Sequence, residues 1–329
     1  MKYRPWGSID WTLSLGSPTT WHFVGTFGTE QRSLCSWKHL NALRVLGSYQ
    51  LADIKAIDSI KYRDRIRIAL EARKSEFLAE GGDLSQLYDM ELMTELFQIM
   101  EFAKLAVRNG PSIILDVSSL PKRFFFPILR HLVNSPKVTD LVLTYTLPSG
   151  YAPNNEPLYE DIEIWKEIPG FGSTLTHEHW VVSVGFLVES LRNYLSSNPT
   201  ERMRVLVPFP SSLTSTRRTW EAVANLQQDH EDERFEKFRV DPLDISSAFE
   251  RICSIAGDTP IPLSFAPFGP KPTSVAMCLY ATQRGTSVYY PQPLIYNPDY
   301  SVGIYGNSPI DAIHAYWIKH DSENLYALS

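Results

Sequence analysis

The chain has 329 residues, 43% of them hydrophobic and 21% charged, with a formal net charge of −6. That length can bury one large core or two ordinary ones, and the acidic balance disfavours duplex nucleic acid as a partner, although a local basic pocket can survive within it. No stretch approaches the roughly 18 apolar residues of a membrane-spanning helix, and the opening "MKYRPWGSIDWTLSLG" holds no apolar run long enough for a signal peptide, so a soluble, cytoplasmic protein without a membrane partner is expected.

Apolar, β-rich runs alternate with helical patterns. "WHFVGTF" (21–27) reads as a buried strand, "SLCSWKHLNAL" (33–43) as the helix after it and "RVLGSYQL" (44–51) as a second strand. A long helical insertion is expected over about 53–109, broken at "AEGGD" (79–83), because "LSQLYDMELMTELFQIMEFAKLAV" places apolar residues at helical spacing. Strand "SIILDVS", helix "KRFFFPILRHLVN" and strand "DLVLTYTL" follow. The Pro-, Gly- and Asn-rich stretch 151–174 breaks the rhythm and reads as a linker. The alternation then resumes through strands "HWVVSVGF", "MRVLVPF", "FRVD", "IPLSFAP" and "SVYYPQ", with helices between them. Continuous apolar strands separated by helices indicate α/β units with mainly parallel sheets covered on both faces.

The two halves echo each other. Val24-Gly25 and Val184-Gly185 each stand at an expected strand end, with Arg32 and Arg192 at the same distance beyond; Pro121-Lys122 and Pro270-Lys271 each open an apolar helix that leads to a strand. The order and similar offsets suggest two Rossmann-like units, 1–150 and 175–329, related by an internal pseudo-twofold duplication, although α/β rhythm alone supplies part of the match.

In an open α/β sheet, ligands bind outside the carboxyl ends of the strands. The loops there are "GTEQRS", "DVSSLPKR", "YTLPSGY", "PFPSS", "APFGPKPTS" and "YYPQP". Glycine and proline hold tight turns, the amides of a helix start face an anion, lysine adds a mobile charge, and Ser or Thr hydroxyls bind a phosphate oxygen or cap the helix. Gly269, Lys271, Thr273 and Ser274 form the clearer candidate ligand-binding set; Asp116, Ser118, Ser119 and Lys122 form the other, with Arg32 and Arg192 as phosphate donors. Ordinary strand-to-helix capping is the competing explanation for each residue.

Other chemistry is thinly represented. Cys35, Cys253 and Cys278 are widely spaced among apolar neighbours, which suggests buried side chains rather than a disulfide or zinc framework. The run "DHEDERFEK" (229–237) reads as a solvated charged surface, and His177 with His179 as a polar turn before a strand. No metal or cofactor is therefore expected. There is no G-x-S-x-G, H-E-x-x-H, G-x-x-x-x-G-K-[ST] or clear G-x-G-x-x-G. An enzyme acting on a nucleotide or phosphorylated ligand would have to draw on Glu30, Arg32, Asp116 and Tyr289-Tyr290. A protein-interaction surface built on Trp165, Phe171, Tyr296 and Tyr300 is a third possibility.

"FGPKPTSVAMCLYA" resembles the strand–T-G-G-T-K–helix motif of CRISPR-associated Rossmann fold (CARF) ligand-binding domains, and "DVSSLPKR" is similar to the D-x-[ST]…[KR] version of that loop. Two such units in one chain resemble the SAVED arrangement of bacterial anti-phage systems. Sharp similarity covers about 20 residues, and Pro267-Phe268-Gly269-Pro270 stands where Thr-Gly-Gly-Thr is the family pattern. The resemblance implies a sensor of a nucleotide second messenger, such as a cyclic oligonucleotide, working in antiviral defence through a protein partner that carries the effector activity. It implies that Lys271 and Thr273 in one half, and Ser118 and Lys122 in the other, contact a ligand held between the halves. Some CARF-like domains cleave their own ligand, so a ring-nuclease-like activity is the enzymatic alternative.

Overall fold

The computed structural model describes residues 3–16, 18–55, 59–152, 159–162, 166–172, 179–185, 202–210, 213–228, 235–257 and 263–328. The chain divides into two compact units: Met1–Ile162 with Pro293–Leu325, and Glu163–Gln292 with Tyr326–Ser329. Residues 293–325, expected in the C-terminal unit, thus belong to the first one.

In the first unit the chain runs β1 (Trp6–Ser8), α1 (Ile9–Ser14), β2 (Trp21–Phe27), α2 (Cys35–Ala42), β3 (Leu46–Lys55), α3 (Arg63–Ala79), β4 (Leu87–Glu91), α4 (Leu96–Asn109), β5 (Ser112–Asp116), α5 (Lys122–Asn134), β6 (Asp140–Thr146), β7 (Gly150–Tyr151) and β8 (Tyr159–Ile162). Every residue of β2, β5 and β6 is buried, which explains why these strands read as predominantly apolar runs. Helix α4 buries Ile99, Phe102, Ala103 and Ala106, one stripe at i, i+3, i+4 and i+7. Helix α3 is mostly exposed and is anchored by Phe77, whose ring lies 4.7 Å from that of Trp37 and edge-on to Phe27 and Tyr49.

Residues 53–109 do not form the expected helical insertion, because a strand stands within them. Leu87–Glu91 is a strand, pairing in parallel with β3 from Leu51↔Leu87 to Lys55↔Glu91, so this region builds the sheet itself. The helical spacing of its apolar residues was overridden by a ladder to a strand more than thirty residues away, a contact that local periodicity does not carry. Val24 and Gly25 likewise lie inside β2, not at its end.

In the second unit the order is β9 (His179–Ser183), β10 (Arg202–Pro208), α6 (Leu213–Gln228), β11 (Phe235–Val240), α7 (Ile245–Ala256), β12 (Leu263–Pro267), α8 (Lys271–Arg284) and β13 (Ser287–Val288). Its five strands are parallel and ordered β11-β10-β9-β12-β13. Ten consecutive residues of α8, Pro272–Ala281, are buried. A helix covered all round needs small side chains on its crowded sides, which explains the run of Thr273, Ser274, Ala276, Cys278 and Ala281. The C-terminal tail clips onto this unit: Gln283 Nε2 donates to the Tyr326 carbonyl at 2.9 Å, and the Leu328 amide donates to Gln283 Oε1 at 2.8 Å.

The chain returns to the first unit with β14 (Pro293–Tyr296), β15 (Ser301–Val302), α9 (Pro309–Ala312), β16 (Ile313–His320) and β17 (Glu323–Asn324). Strand β16 pairs antiparallel with β6 on one side and β1 on the other, giving an eight-stranded sheet ordered β1-β16-β6-β5-β2-β3-β4, with β17 on β16. Counted along the chain, the five parallel strands of each unit follow one order, 3-2-1-4-5, the doubly wound order 3-2-1-4-5-6 without its sixth strand. Helices α5 and α8 occupy the same place in that order, each after the fourth strand. Among the described residues, no helix is long and apolar enough to cross a membrane.

Candidate functional site

In each unit the order reverses between the first and fourth parallel strands, and the crevice outside their carboxyl ends is where this topology admits a ligand. In the second unit that place lies between the ends of β9 and β12. The two loops there touch: a Cβ on Gly185 would stand 1.7 Å from the Phe268 carbonyl oxygen, and one on Gly269 would stand 3.0 Å from the Ser183 side chain. Close approach requires glycine at 185, while a side chain at 269 would press on Ser183 and the Val184 carbonyl. The Gly269 amide donates to Ser183 Oγ at 3.0 Å, so Ser183, which the sequence did not single out, positions this turn. Pro270 is the N-cap of α8 and Lys271 its first residue, in spite of the proline that follows. Ser274 Oγ donates back to the Pro270 carbonyl at 3.2 Å, a local bond that leaves it serving the helix. Thr273 differs: it is 1% exposed, and its Oγ1 has no hydrogen-bond partner. Buried hydroxyls are ordinarily paired, and a side chain in the first turn leans toward the helix N-terminus, where anions are favoured. Lys271 is half-buried beside it.

The equivalent loop of the first unit runs from Asp116 to Lys122. Asp116 Oδ1 accepts from the Ser118 amide at 2.9 Å, and its Oδ2 from the hydroxyls of Ser118 at 3.0 Å and Thr144 at 2.9 Å. Ser118 Oγ in turn accepts from the Thr146 amide at 2.8 Å. This closed network ties the loop to β6. Burial raises the Asp116 pKa, and those bonds oppose the shift. Ser119 Oγ is buried without a partner. Pro121 is the N-cap of α5 and Lys122 its first residue, the same positions that Pro270 and Lys271 take on α8. Lys122 is 7% exposed, and burial pushes its pKa down to about 7.

Arg32 is 3% exposed. Its Nε donates to Glu30 Oε2 at 2.8 Å, and its Nη1 to the Thr146 carbonyl at 3.4 Å. Burial opposes its charge, but the Glu30 carboxylate and the phenols of Tyr145 and Tyr151 outweigh that, and its pKa stands above the ordinary arginine value. Arg192 and His177 lie outside the described residues, as do Trp165 and most of the 229–237 run. Tyr289 OH donates to Glu167 Oε1 at 3.0 Å, and Phe171 is buried rather than part of an exposed surface.

Two further clusters occur among the described residues. Asp140, His320 and Asp321 bring three donor atoms within 4.8 Å of one another, but Asp140 already accepts from the Thr139 hydroxyl at 2.7 Å and from the Asp321 amide at 3.3 Å, the second of which holds the turn between β16 and β17. An open groove is lined by Lys55, Asp89, Glu91, Thr94, Glu95 and Gln98. Its three carboxylates against one ammonium disfavour phosphate. Burial raises the pKa of nearby Asp53, and Asp89 adds to the shift. No protein-family model matches the chain, and no curated protein matches it at a significant level.

Proposed function

We propose that the chain is a binding protein for a nucleotide second messenger, such as a cyclic oligonucleotide, and that it acts as a sensor in prokaryotic antiviral defence through a partner carrying the effector activity. The observation that carries this reading is the start of α8. A Pro-Lys turn at the switch point of a parallel sheet presents a helix N-terminus, a lysine and one buried, unpartnered hydroxyl, Thr273 Oγ1. Those groups suit a phosphate oxygen. The shared 3-2-1-4-5 strand order, with Pro121-Lys122 and Pro270-Lys271 at matching helix starts, supports two copies of one ligand-binding unit.

Sensing is favoured over turnover because the carboxylates available for general-base work are already engaged. Asp116 accepts three hydrogen bonds within its own loop and from β6, and Glu30 is held by Arg32 and by the Ser301 hydroxyl. Neither is placed to activate water.

Calorimetric titration with cyclic di-, tri- and tetranucleotides tests the reading, and binding to none of them sinks it. With a ligand in hand, Lys271→Ala is expected to weaken binding by about 1.5–3 kcal/mol, the range for a hydrogen bond to a charged group. Mass spectrometry of the ligand after incubation separates sensing from cleavage, since a sensor returns it intact.

A further inference from the structure

Part of the carboxyl end of the first sheet is covered by the chain itself, beyond the ends of β2 and β6. After leaving the second unit, the returning segment 297–305 lies along the carboxyl end of the first sheet. Ser301 and Val302 pair antiparallel with Tyr151 and Gly150. The Ala152 amide donates to the Tyr300 carbonyl at 3.3 Å, and the Tyr305 amide to the Leu147 carbonyl at 3.0 Å. Ser149 Oγ donates to the Val302 carbonyl at 2.6 Å. Gly303 adopts φ +65°, and a Cβ there would stand 2.3 Å from Ser149 Oγ, so glycine permits both the turn and the close approach.

This strap is tied to a charge. The Ser301 hydroxyl donates to Glu30 Oε2, the same oxygen that accepts from Arg32 Nε. One carboxylate oxygen therefore joins the strap to a guanidinium that follows the end of β2 and reaches the end of β6 through Thr146. A guanidinium fork fits phosphate as well as it fits carboxylate. The strap's other contacts include the main-chain and hydroxyl bonds above, an exposed ion pair between Arg65 and Asp299, and the Tyr300 ring set against those of Tyr151 and Tyr296.

We propose that Arg32 is a latent anion site that the chain keeps closed: Glu30 fills it with a carboxylate, and the 297–305 strap, tied to that carboxylate by Ser301, lies over the pair until a phosphate-class ligand takes the place of Glu30. Ligand and strap then compete for one arrangement of charges. A ligand that binds Arg32 only when Glu30 moves aside loosens the strap, and loosening the strap raises ligand affinity by the same factor. This inference does not depend on the reading of the Lys271 loop.

The test uses the full chain carrying Lys271→Ala, which removes the mobile charge of the C-terminal loop and weakens any phosphate binding there, and inorganic phosphate against chloride at equal ionic strength. Thermal-shift titration reads affinity, and limited proteolysis reads cleavage within 297–305. In that background, phosphate is expected to speed cleavage of the strap. Glu30→Gln, which removes the competing charge and keeps the shape, is expected to raise phosphate affinity at least tenfold. Ser301→Ala, which leaves both charges in place, is expected to raise it severalfold, and it carries the test if Glu30→Gln does not fold. Phosphate affinity unchanged by Ser301→Ala, or strap cleavage indifferent to phosphate, overturns the proposal.

Discussion

Lowering the pH from 7 to 4 is expected to destabilise the first unit through His22, a residue on β2 that is 2% exposed. Its Nδ1 pairs with Ser48 Oγ at 2.8 Å, while its Nε2 is buried without a hydrogen-bond partner. The neighbouring Gln50 is committed through Nε2 to the Phe102 carbonyl at 2.7 Å, and its own Oε1 is also unpartnered. Burial pushes the His22 pKa down from 6.5 to about 4, with the Gln50 side chain opposing the shift. A histidine with a lowered pKa is neutral in both states above pH 6.5, so its effect is absent there. As the pH falls through 6.5 the unfolded chain takes up a proton that the folded chain refuses, and stability declines until the folded pKa is reached. A gap of about 2.5 units at 1.36 kcal/mol per unit amounts to roughly 3 kcal/mol. Carboxylates titrate in the same window, so the measurement is a difference. Urea unfolding of the wild type and of His22→Gln at pH 7, 6, 5 and 4.5 isolates the imidazole. The wild type is expected to lose about 2–3 kcal/mol more than the variant over this range. Parallel curves would refute the reasoning, and would mean that His22 accepts a proton in the folded state at little cost.

Thr273→Val removes a buried hydroxyl that has no partner, so stability is expected to hold or rise by about 1 kcal/mol while nucleotide affinity falls; a clear loss of thermal stability would show the hydroxyl to be structural. Gly185→Ala forces a methyl onto the Phe268 carbonyl and is expected to cost at least about 1–3 kcal/mol in urea unfolding of the second unit. Ser118→Ala takes a donor from Asp116 and leaves the Thr146 amide buried without an acceptor, a cost of about 1–3 kcal/mol, measured by the same method; a neutral result would count against the closed network.

The sequence by itself determined the elements whose burial is uniform or strictly periodic. Strands β2, β5 and β6, buried throughout, stand out as predominantly apolar runs, and α5 and α8 opened where Pro121 and Pro270 fixed the entering backbone. Both Pro-Lys helix starts were therefore legible in the sequence. Tertiary structure decided what depended on partners remote in sequence. Leu87–Glu91 became a strand because β3 offered a ladder, and 293–325 rejoined the first unit because β16 pairs with β6 and β1. It also decided the state of each polar group, which residue type cannot give. Ser118 and Thr273 are both buried hydroxyls beside a helix start, yet Asp116 and the Thr146 amide engage the first, while nothing reaches the second. Arg32 reads as a phosphate donor in the sequence because no local pattern shows that Ser301 donates a hydrogen bond to the same Glu30 oxygen that Arg32 holds. Hydrogen bonding is satisfied by proximity in space, and proximity across 271 residues is a property of the fold alone.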